Sequence, residues 1–151
     1  MLASAVSTAP LELMRQFNAL QSTRVQTYRD FERGFDDYIT EAKTPAEYER
    51  LVEDITQKFA SISRDIRAVE QRLRDQDQSE WATMIREIQD LEKMKLRATV
   101  NYQMNKLESV FGERDYQGDL EQSQKMIEKI TLEIVDKLFA LRHDMAELLE
   151  S

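Results

Sequence analysis

The chain has 151 residues, 29 acidic and 21 basic, and a formal net charge of −8. It holds three glycines and two prolines, far below the average combined usage of about 12%. A β-sandwich or barrel needs many turns, so this composition excludes those folds. With no cysteine, disulfides, zinc–thiolate sites and thiol nucleophiles are excluded as well.

Residues 1–9 (MLASAVSTA) have no basic n-region and are too short for a signal peptide. They read as a flexible N-terminal segment. Residues 10–151 read as a single four-helix domain, with helices over about 11–40, 45–74, 79–110 and 119–149. The first helix is expected to start at Pro10 or Leu11, since proline suits a helix start. Its apolar face carries Leu13, Phe17, Leu20, Tyr28, Phe31, Phe35 and Tyr38.

Thr44-Pro45-Ala46-Glu47 reads as a capping box with proline at the first helical position. The second helix then carries a narrow, coiled-coil-like stripe: Tyr48, Leu51, Ile55, Phe59, Ile62, Ile66, Val69 and Leu73. Asp75–Ser79 is a polar turn in which Asp77 or Ser79 could cap the third helix. That helix carries Trp81, Ile85, Ile88 and Leu91. Its apolar phase then slips, and Leu96, Val100, Met104, Leu107 and Phe111 lie on a drifting face. The loop Gly112–Gly118 follows, with Asp119 as the expected cap of the fourth helix. The main stripe of that helix is Leu120, Ile127, Ile130, Ile134, Leu138, Leu141, Met145 and Leu148. The expected architecture is an antiparallel up-down four-helix bundle, or a pair of extended helical hairpins with coiled-coil-like seams.

Two features fall outside simple packing. Arg24 stands where the first stripe calls for an apolar residue, and Glu92 does the same in the third helix. Each lies at a similar depth in its helix. They are expected to form a partly buried ion pair, with Lys137 nearby, unless Arg24 runs along the bundle edge. The fourth helix carries a second apolar stripe, Leu132, Val135, Phe139 and Ala146, about 110–130° round from the first. Either the helix packs against two neighbours, or Leu132, Val135 and Phe139 form a partner-binding surface.

No catalytic, cofactor or metal set is expected. The single histidine, His143, lies near a helix end, where a positive charge suits the dipole. Di-iron bundles need two Glu-x-x-His motifs. The isolated glycines make no phosphate-cradling loop. Asp36-Asp37 and Glu113/Asp115 do not match calcium-loop spacing. Residues 1–63 carry −3, 64–97 are neutral, 98–118 carry −1 and 119–151 carry −4. This balance disfavours direct contact with phosphate backbones. No apolar run reaches the ~18 residues of a membrane-spanning helix, so no membrane partner is expected and the protein reads as intracellular. An oligomer stays open, since the slip in the third helix would place Met94 and Leu107 outside the bundle.

Three stretches carry a family resemblance: LVEDITQKFASISRDIRAVEQRL at 51–73, IREIQDLEKMKLRATV at 85–100, and KMIEKITLEIVDKLFALRHDMAEL at 125–148. With the layout of residues 20–39, they resemble the required-for-excision B-type family, named for a requirement in DNA excision repair. The resemblance implies a small helical protein of the nucleus. It carries over no catalytic residue, cofactor or ligand. Combined with the charge, it leads to the expectation of a non-enzymatic helical adaptor that meets other proteins in DNA excision repair. The alternative is a structural subunit of a coiled-coil, cytoskeletal or ciliary assembly in the cytoplasm or cilium.

Overall fold

The computed structural model describes residues 2–112 and 115–150, with side chains described for 9–112 and 115–149. The described residues form four helices: α1 (Leu2–Ile39), α2 (Pro45–Asp75), α3 (Ser79–Phe111) and α4 (Gln117–Glu150). No strand occurs among the described residues, so the all-α class stands. The chain gathers into two compact units, Met1–Thr83 and Met84–Ser151.

In the first unit α1 and α2 pair as an antiparallel hairpin. Tyr38 stacks on Tyr48 at 4.4 Å, Tyr28 meets Phe59 at 4.7 Å, and Arg24 reaches Ser63. Falling residue numbers on α1 thus meet rising numbers on α2. The buried seam of α1 is Met14, Phe17, Gln21, Arg24, Tyr28, Phe31 and Phe35. Its steps alternate between three and four residues, the period that keeps one face toward a partner helix. Leu20, expected on this seam, is only half-buried, and Gln21 takes its place. On α2 the buried residues Ile55, Phe59, Ile62, Ile66, Val69 and Leu73 continue the expected stripe. Each large apolar side chain removed from water contributes about 1.5–3 kcal/mol.

Helix α1 starts at Leu2, ahead of the expected start at Pro10 or Leu11, and carries Pro10 inside it. Proline forfeits one backbone hydrogen bond and crowds the preceding turn. Leu2, Ala3, Ala5 and Ala9 are strong helix formers, and the helix runs on through that loss.

At the start of α2, Glu47 N–H donates to the Thr44 hydroxyl at 3.2 Å, and Thr44 N–H donates to the Glu47 carboxylate at 3.1 Å. Both halves of the capping box are therefore formed. These hydrogen bonds hold the Glu47 carboxyl below its ordinary value.

The ends of α1 and α2 explain how so few glycines suffice. Ala42 N–H donates to the Asp37 carbonyl and Glu41 N–H to the Tyr38 carbonyl. Gln78 N–H donates to Leu73 and Asp77 N–H to Arg74 in the same pattern. Each is a Schellman closure, which places one residue in the left-handed region, usually glycine. Here the positions are filled by Glu41 (φ 64°) and Asp77 (φ 59°). Asp77 thus closes α2 and does not cap α3. At the start of α4, the Asp115 carboxylate accepts from Gln117 N–H at 3.0 Å. This helix begins two residues before the expected cap, Asp119.

In the second unit α3 and α4 also run antiparallel. Glu87 meets Lys137 at 2.7 Å, and Tyr102 accepts from Gln124 at 3.3 Å. The apolar phase slip expected in α3 is absent from its burial. Ile85, Ile88, Glu92, Thr99 and Gln103 keep a single buried face along the helix. That face changes from apolar to polar, while Val100, Met104 and Phe111, read as its continuation, are exposed.

A left-handed residue with a side chain costs roughly 1–2 kcal/mol, less for aspartate. Glu41→Gly is accordingly expected to raise unfolding stability by about 1 kcal/mol in urea titration, and Asp77→Gly by less. A drop in the urea midpoint for both variants would contradict the closure geometry.

Candidate interaction surface

Helix α4 has two faces of different fate. Leu120, Ile130, Ile134 and Leu141 are buried. The second stripe is open to solvent: Leu132 is 65% exposed, Val135 51% and Phe139 73%. Ala146 on the same side is exposed too. These three large side chains stand at steps of three and four residues, so they form one contiguous apolar patch rather than scattered surface residues. Leu149, three residues past Ala146, is exposed on this side as well, and Met126 adds exposed apolar surface elsewhere on α4.

The buried polar residues form the opposite kind of feature. Arg24 is only 2% exposed, inside the α1–α2 seam. Its guanidinium donates to the Gln21 side-chain carbonyl at 3.1 Å and lies 3.5 Å from the Ser63 hydroxyl. It therefore does not run along an edge. The burial of Gln21 follows from this role, which the apolar count of α1 did not reveal. Glu92 is buried on α3 together with Gln89, Thr99 and Gln103. The Thr99 hydroxyl is satisfied by the Lys95 carbonyl at 2.8 Å. Lys137, expected beside Arg24 and Glu92, meets Glu87 at the surface.

Near the tip of the first hairpin, Tyr38 and Tyr48 stack with their rings 5° from parallel. Partial burial, reinforced by Tyr38, raises the Tyr48 phenol above its ordinary value. The pair is a packing contact of the hairpin end.

His143 is exposed and lies 3.2 Å from Glu147, one turn on. Asp36 is exposed and Asp37 half-buried. Glu113 lies outside the described residues. Among the described residues, no three His, Asp or Glu side chains gather in a way that could hold a metal ion. No helix is long and apolar enough to cross a membrane, again among the described residues. Tyr116, the loop aromatic, is half-buried, and its carbonyl accepts from Leu120 N–H at 2.8 Å.

The sequence profile described as DNA repair REX1-B matches residues 12–106. The chain belongs to this family. It is similar to a Bos taurus protein named "Required for excision 1-B domain-containing protein", with 31% identity over 112 residues. That alignment covers 71% of the chain and 62% of the relative, so the chain spans less than two thirds of the relative's length. No solved structure matches. The family region takes in most of α1, the whole of α2 and most of α3. Two of the three stretches that carried the resemblance, 51–73 and 85–100, lie inside it. The third, 125–148, lies beyond residue 106, as does the exposed apolar patch of α4.

Proposed function

We propose that this chain is a non-enzymatic helical adaptor that acts in DNA excision repair through protein–protein contacts, using the exposed face of α4. The observation that carries the reading is the contiguous solvent-facing patch of Leu132, Val135 and Phe139. Apolar surface of this kind costs free energy in water and is relieved when another protein covers it. Membership of the DNA repair REX1-B family supports the repair setting and, with it, a nuclear location. A net charge of −8 favours contact with proteins over contact with a phosphate backbone. An exposed His143 paired with Glu147 fits a solvated helix end better than a reacting centre.

The test is restoration of repair in cells that lack the protein. The wild-type chain is expected to restore repair of a damaged reporter. Phe139→Glu is expected to fail, with helix content and melting temperature unchanged, because the substituted side chain already faces water. Full restoration by Phe139→Glu would contradict the assigned surface. Tight binding of the purified chain to damaged duplex, with a steep loss of affinity on adding salt, would contradict the adaptor mechanism.

A further inference from the structure

We infer that the exposed face of α4 pairs with the same face of a second copy of this chain, the two helices running antiparallel. This rests on the reading of that face as a protein-contact surface and names its occupant.

The face extends beyond its three apolar residues. Glu128, Leu132, Val135, Phe139 and Arg142 follow one another at steps of four, three, four and three residues, and all are exposed. An uninterrupted repeat of this kind is what one helix presents to another helix along a straight seam. It differs from a compact patch suited to a loop or a globular pocket. The matching occupant is a helix with an unpartnered seam of the same period and the same apolar centre. Helix α4 of a second copy meets that requirement by definition.

The charges choose the direction. Glu128 lies seven residues before Val135, and Arg142 lies seven residues after it. A two-fold axis near Val135 reverses one helix against the other. It brings Glu128 of each copy to the level of Arg142 of the other, so the favourable pairing occurs twice. Leu132 of each copy comes within one residue of the level of Phe139 of the other, which closes the apolar centre. Lys125 comes to the level of Met145, a neutral position. A parallel arrangement sets Glu128 against Glu128 and Arg142 against Arg142, and both contacts are repulsive. Self-complementarity under a two-fold axis is the defining property of an isologous dimer interface. A seam one helix wide is small among specific interfaces, so the association is concentration-dependent.

Sedimentation velocity of the full chain across the micromolar range tests this. The wild-type mass is expected to rise from 17.8 kDa toward twice that value, and Phe139→Glu is expected to stay monomeric. Glu128→Arg alone and Arg142→Glu alone should each weaken the dimer about tenfold, since each places like charges together. The two reversals combined should restore it, because opposite charges then face each other again. Both positions are exposed, so circular dichroism should show unchanged helix content throughout. A monomer at every concentration, or reversals that do not compensate, overturns the inference. If the chain stays monomeric while Phe139→Glu loses repair, the adaptor reading stands and self-pairing falls. If the reversals compensate while Phe139→Glu restores repair, self-pairing stands and the adaptor surface falls.

Discussion

The α1–α2 seam is the constraint on which the first unit depends. A chain with three glycines and two prolines cannot cover its apolar residues by folding back often. It must do so by laying one long helix against another. Apolar side chains alone would allow such a pair to slide by whole turns. Arg24 removes that freedom, because its buried guanidinium needs Gln21 and the hydroxyl of Ser63 at the right level. A slipped register takes Ser63 away and leaves part of a buried charge unsatisfied, which is the expensive outcome. Gly34 contributes at the same interface. Leu51 of α2 occupies the space that a Cβ at this position would fill, so the two helices approach closely there.

Legibility in the sequence followed the physical nature of each feature. The capping box at Thr44–Glu47 could be read directly, because all its partners lie within four residues. The α2 stripe could be read because every position on it is apolar. The buried face of α3 could not, since from Glu92 to Gln103 it is built largely from polar residues that hydrophobic periodicity treats as surface. Apolar Val100 and Met104 beside it then drew the reading off the true face. The same blindness hid Gln21 on α1. The closures at Glu41 and Asp77 are hidden for a related reason: glycine is the residue that signals a left-handed position, while the chain places acidic residues there. The N-terminal extension of α1 is not legible because proline marks a helix start, although local helix propensity carries the helix past Pro10.

On α4 the sequence could show two apolar stripes but not which one faces water. Angular position separates the stripes. Burial of either depends on neighbours that no local pattern specifies. The structure buries Ile130 and Ile134 and exposes Leu132, Val135 and Phe139. The family region ends at residue 106, so this surface belongs to the part of the chain outside it. The matched region holds the α1–α2 hairpin with its buried polar seam, and the exposed apolar face of α4 lies outside it.

That two-faced character of α4 is the claim from which the functional account follows, and methyl NMR with a soluble paramagnetic probe tests it most directly. At a concentration low enough to keep the chain monomeric, the methyl signals of Leu132 and Val135 should broaden strongly. Those of Ile130 and Ile134 should stay sharp. Equal protection of all four residues would show that the stripe is covered within the chain, and would remove the surface on which the proposed function depends.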